Sequence, residues 1–178
     1  APARLDVHRV VRVGGTNVPT GTTVELPLEL LTTGTENSVG FSLRYDSVRV
    51  VLESAKLNAG FTNITLNLRT NIDFPGMLGA ALALPPDVAF PVGTQAVMTL
   101  RFVATSTPGS VPIAFNDTPV VCEMVGTDAK PVPTDFVDGQ INTALVPPQI
   151  ARHPVSREVT QWESAVFAVV ASGSLPMS

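Results

Sequence analysis

Residues 40–60 read GFSLRYDSVRVVLESAKLNAG, and the fold hangs on their first half. Together with Val39, the side chains of Phe41, Leu43 and Tyr45 fall on one side of an extended chain. Gly40, Ser42 and Arg44 fall on the other. A period of two is the signature of a strand with one buried face. Asp46 follows and suits a turn, because its carboxylate can accept backbone N–H groups. A second strand then rises to the turn at Asn58-Ala59-Gly60.

The same period extends along the chain in both directions. In TVELPLELL (23–31), Val24, Leu26, Leu28 and Leu30 oppose Glu25, Pro27 and Glu29; in ITLNLRT (64–70), Ile64, Leu66 and Leu68 oppose Thr65, Asn67 and Arg69. AVMTLRFVA (96–104) and VPIAF (111–115) continue it, and no stretch has a helical period. Turn sequences such as VGGTN, TTGTEN, STPGS and VDGQ separate the strands, with 13 Gly and 16 Pro in 178 residues. Many strands at short spacing predict an all-β sandwich. Pro27 cannot donate to a ladder, so an edge or a bulge is expected there.

Only 15% of the residues are charged, against roughly 25% in an average soluble domain. The polar surface must therefore be built largely from Thr, Ser, Asn and Gly. A net charge of −4 with scattered basic residues leaves no electrostatic footprint for nucleic acid or an anionic membrane. No apolar run approaches the ~20 residues of a membrane span, so membrane insertion is not expected. The single cysteine, Cys122, excludes an intrachain disulfide and reads as a small buried hydrophobe.

Catalytic chemistry finds no foothold. His8 and His153 are the only histidines and neither has a second metal ligand at a useful spacing. No nucleophile motif or EF-hand loop is present. A surface calcium site on loop carboxylates such as Asp73 or Asp87 is the one metal possibility left open. The expectation is a protein with no enzyme activity, cofactor or assigned metal. Sugar platforms need exposed aromatic rings, yet the chain has one Trp and one Tyr, and Tyr45 points inward.

Four stretches, in order, resemble cohesin domains, the scaffolding modules of cellulosome-type proteins, and their carbohydrate-binding relatives. They are GTTVELPLEL (21–30), GFSLRYDSVRVVLESAKLNAG (40–60), VGTQAVMTLRFVATSTPGSVPIAF (92–115) and FVDGQINT (136–143). The resemblance covers about residues 4–145 and implies a jelly-roll β-sandwich of about nine strands over 1–145. It also implies a non-catalytic extracellular or cell-surface binding module. Its partner would be a protein module of the dockerin type or, alternatively, a soluble polysaccharide.

Cohesins bind dockerin through one sheet face, which maps here onto outward positions Ser38, Gly40, Ser42 and Arg44, then Asn67 and Arg69, then Ala81 and Ala83, with Gly79 beside them. Typical cohesins carry larger polar groups, such as Asn and Asp, at the first two. Small residues give a flat face that either meets protein directly or is covered by another part of the same polypeptide.

Residues 146–178 form the second unit. After the linker ALVPP (144–148), the stretch PPQIARHPVSREVTQWESAVFAVVASGSLP (147–176) resembles the opening of bacterial immunoglobulin-like repeats. Ile150, His153-Pro154, Val159, Phe167, Val169, Ala171, Gly173 and Pro176 carry the likeness, and Trp162 stands where a turn glycine is usual. This resemblance implies the first strands of a further domain. Apolar strands without a sheet of their own must find another, so residues 149–172 are expected to pack on the first domain or to exchange with a second copy, giving a homodimer.

Overall fold

The computed structural model describes residues 8–70 and 75–174, and every alternating stretch within them is a strand. In chain order the strands are β1 (Val10–Val13), β2 (Thr16–Pro19), β3 (Thr23–Thr32), β4 (Glu36–Arg44), β5 (Val50–Leu57), β6 (Thr65–Arg69) and β7 (Met77–Ala83). They continue with β8 (Gly93–Ala104), β9 (Gly109–Asn116), β10 (Glu123–Gly126), β11 (Pro131–Val132), β12 (Asp135–Val137) and β13 (Gly139–Ala144). Two more, β14 (Gln149–Arg152) and β15 (Val170–Ser172), lie in the tail. The sandwich thus has thirteen described strands rather than about nine. The excess is in pieces of two to four residues, such as β2, β10, β11 and β12, which are too short to show alternation in sequence.

One sheet has the order β12-β1-β3-β8-β5. The other has the order β11-β10-β4-β9-β13-β2, with β7 on the free edge of β4 and β6 beyond it. Between them lies the core, where Leu26, Leu28 and Leu30 of β3 meet Phe41 and Leu43 of β4, Phe102 of β8 and Ile113 of β9, all essentially without exposure. Tyr45 is buried with them and sets its ring edge-on to Phe102, the centroids 5.2 Å apart. Phe41, Phe115 and Phe136 form a second edge-to-face chain, from β4 and β9 of the eight-stranded sheet to β12 of the five-stranded one.

Pro27 sits in a strand paired on both sides rather than at an edge. Its carbonyl accepts the Gly14 N–H at 2.9 Å, so the N–H it lacks would face the point where β1 ends. The β3–β8 register then shifts between Leu28 and Glu29, one residue after the proline.

The chain passes from the five-stranded to the eight-stranded sheet through Thr33–Thr35, and the buried carboxylate of Glu36 fixes that passage. It accepts the N–H groups of Thr33 (2.8 Å), Gly34 (3.1 Å) and Thr35 (3.1 Å), the hydroxyls of Thr33 and Thr35, and the Arg9 guanidinium. Burial alone would raise the pKa of this carboxyl. The Thr33 hydroxyl, the Arg9 guanidinium and the Thr33 N–H outweigh it and hold the pKa at about 2.

The tail departs from expectation. Between residues 149 and 172, β14 and β15 pair only with each other, antiparallel, with Ile150 opposite Ala171. Phe167 is 59% exposed and Trp162 94% exposed, so this segment does not pack on the sandwich. Each strand supplies the other's inner ladder bonds, and the outer edges of both face solvent. Ser174 reaches back: its hydroxyl accepts the Val146 N–H at 2.7 Å and lies 3.2 Å from the Thr20 hydroxyl. The first seven residues, Asp73 and Pro176 lie outside the described residues.

Because the folded-state pKa of Glu36 lies below that of the unfolded chain, its contribution is complete above pH 4.5 and disappears as pH falls toward about 2. Glu36→Gln should cost about 3 kcal/mol at pH 7. It should also flatten the loss of stability between pH 4.5 and 2, as read from urea unfolding at several pH values.

Candidate functional site

The outward face of the eight-stranded sheet carries every residue expected at a binding site, and its ladders set them in rows. The first row runs Val125–Ser38–Ala83–Thr65 across β10, β4, β7 and β6. Next come Glu123–Gly40–Ala81–Asn67, then Asn116–Ser42–Gly79–Arg69, then Ala114–Arg44–Met77. Ser38, Gly40, Ser42, Arg44, Asn67, Arg69, Ala81 and Ala83 therefore share one surface.

They are not equally available. Arg44, Asn67, Arg69 and Ala81 are exposed, and Ser38, Gly40 and Ala83 are half-buried. Ser42 is fully buried, although its position in the alternation is outward. The cause lies in β9 and β10, which both run along the same edge of β4. Asn116 stands opposite Ser42, so an unbroken ladder would bring Thr118 to Gly40, but Glu123 stands there instead. The intervening residues leave the sheet as an excursion and fold over its face.

That excursion fits the small residues beneath it. The Ser42 hydroxyl donates to the Val120 carbonyl at 2.6 Å and accepts the Val120 N–H at 2.7 Å. A Cβ on Gly79 would lie 2.7 Å from Pro119 Cγ and 3.0 Å from Val120 Cγ2. One on Gly40 would lie 2.9 Å from the Val121 carbonyl oxygen. The Thr118–Pro119 peptide is cis. Within the excursion, Asn116 Oδ1 accepts the Thr118 N–H at 2.7 Å and Asp117 Oδ1 the Cys122 N–H at 2.9 Å. The half-buried Cys122 thiol donates to the Asn116 carbonyl, and its pKa is raised chiefly by desolvation. It is a protonated packing group.

The two outer faces differ in charge. On the five-stranded sheet Arg12 pairs with Glu29 at 2.5 Å, and Arg101 with Glu53 at 2.7 Å and Glu25 at 3.4 Å. On the eight-stranded sheet neither Arg44 nor Arg69 pairs with a carboxylate among the described residues. Asp87, one of the two calcium candidates, sits in an exposed turn. No group of three His, Cys, Asp or Glu side chains able to hold a metal occurs among the described residues.

Pro119, Val120 and Val121 escaped the sequence reading, as did Met77 in the arginine row. Their signal was present in the floor: two glycines and a serine on neighbouring strands mark a place where another backbone comes close.

No protein-family model and no curated protein matches the chain. Solved structures do match. The fold is similar to a non-cellulosomal cohesin from the hyperthermophilic archaeon Archaeoglobus fulgidus, with TM-score 0.64 and 14% identity over 77% of this chain and 91% of that one. It is similar to the sixth cohesin of scaffoldin B from Acetivibrio cellulolyticus, solved in complex with a dockerin (TM-score 0.63, 15% identity, 77% and 99% covered). The seventh ScaB type I cohesin from Pseudobacteroides cellulosolvens matches at TM-score 0.62 and 17% identity, covering 86% and 99%. The fold is a cohesin-like jelly-roll sandwich.

Replacing Ser42 by Ala leaves both polar groups of Val120 without their partner. The variant should lose about 2 kcal/mol of stability in urea unfolding. Gly79→Val should unseat the excursion and make the Cys122 thiol react faster with a disulfide reagent.

Proposed function

We propose that this chain is a non-catalytic protein-interaction module, acting outside the cell or at its surface, that takes a dockerin-type partner on the outward face of its eight-stranded sheet. The observation that carries this reading is the pair of exposed arginines, Arg44 beside Met77 and Arg69 beside Gly79 on the strand between them, at one end of the line of small residues that continues through Ala81 to Ala83. Elsewhere on the sandwich surface, arginines such as Arg12, Arg49 and Arg101 are matched by the chain's own carboxylates. A face whose cations have no carboxylate partner among the described residues suits a protein surface that supplies acidic groups, which steer association and fix register. The likeness to cohesins, one of them solved with a dockerin bound, supports the same class of partner.

Its floor is unlike that of a polar, hydrogen-bonding interface. Ala81 and Ala83 offer contact area without donors, so specificity falls to the rim: Arg44, Arg69, Asn67 and Thr65. A partner with a shallow apolar patch bordered by carboxylates fits this arrangement.

The test is binding of the immobilised chain to a panel of dockerin-bearing proteins, run beside an array of soluble polysaccharides. Saturable protein binding weakened at least tenfold by Arg44→Glu with Arg69→Glu, and weakened by added salt, is the expected result. Saturable polysaccharide binding abolished by Arg69→Ala, with no protein retained, would overturn it.

A further inference from the structure

The excursion between Asn116 and Glu123 covers the middle of the face proposed above, and its contacts describe what that middle can hold. One side chain, Ser42, satisfies both the N–H and the carbonyl of a single residue, Val120. Such a contact reads backbone and is indifferent to the side chain. On either side, Gly40 and Gly79 leave the room that Pro119, Val120 and the Val121 carbonyl occupy.

We propose that Gly40, Ser42 and Gly79 form a seat for a short, bent peptide backbone, filled here by the chain's own Pro119–Val121. It opens when that segment swings out to admit a bent, small-apolar stretch of the partner. The inference rests on the reading of this face as the partner surface and adds its regulation.

Three features make the segment removable. Among the described residues, the hydrogen bonds of Pro119–Val121 to the strands beneath are the two made by the Ser42 hydroxyl. The Thr118 N–H and the Cys122 thiol donate to Asn116 at the end of β9, and the Cys122 N–H to Asp117 Oδ1, so these flanking bonds hold while Pro119–Val121 swings out. Closure also leaves a buried polar atom, Asn116 Nδ2, without a partner. Opening returns that amide to water and offsets part of the loss at Ser42. The occupant indicates what fits in its place: proline and valine side chains on a bent backbone, with Val121 58% exposed at the crest.

Hydrogen exchange on the intact chain tests the opening. The Val120 amide should exchange at least a hundredfold faster than the ladder amides around Leu100, with little dependence on dilute denaturant, as local opening requires. Exchange of Val120 at the rate of Leu100, with the same denaturant dependence, would overturn the proposal.

The seat itself is tested in the Val120→Asp variant, which expels the segment. An eight-residue peptide of residues 116–123, with serine in place of Cys122, should shift the Gly40 and Gly79 amide resonances saturably at millimolar concentration. A scrambled peptide should not, and the parent chain should respond at least tenfold more weakly. A folded variant that ignores the peptide would overturn the seat; if the variant does not fold, the exchange measurement decides. Neither experiment uses a dockerin, so a chain that fails to retain any dockerin-bearing protein can still pass or fail here.

Discussion

A buried carboxylate holds the sandwich in register. Glu36 begins β4, and three consecutive backbone N–H groups, two hydroxyls and a guanidinium converge on it as the chain leaves one sheet for the other. Its own carbonyl accepts the Phe90 N–H at 2.7 Å, bringing in the loop before β8. A slip of one residue in β4 would put Phe41 and Leu43 in water and Ser42 in the core. The rows of the candidate site, all counted from β4, therefore inherit their alignment from an ionised group with no solvent contact. Such a group is tolerated because every lone pair it presents is matched.

Period two carried most of the fold in plain view. Val24, Leu26, Leu28 and Leu30 are all buried, and Tyr45 faces the core with Asp46 capping the next turn through the Val48 N–H. Alternation reports which face of a strand meets a core, and the core here is large and continuous. It does not report what lies on the other face. Ser42 was legible as outward but not as buried, because its cover comes from Asp117–Cys122, a stretch with no periodicity of its own. Pro27 was legible as a break in a ladder but not as a member of a central strand, since the vacancy it faces is made by the end of β1.

In the tail the same reasoning held only in part. Phe167 and Val169 precede β15 and stay exposed, so within one chain they do not pack on the sandwich, while exchange with a second copy is a question of two chains. β14 and β15 pair with each other, which satisfies their facing backbone groups and leaves the outer edges to water. Backbone pairing and apolar burial usually coincide in a sandwich, and here they separate.

The topology also sets how the sandwich responds to force. Among thirteen strands, two pairings are parallel: β1 with β12 and β2 with β13. Each joins a strand near the start of the domain to one near its end. Tension applied through the two ends of the domain pulls parallel neighbours in opposite directions along their common axis, so the ladder is loaded in shear. All of its hydrogen bonds must then yield together rather than one after another, as they would if an antiparallel hairpin were peeled open. Under such tension those two short parallel ladders are where the load is borne.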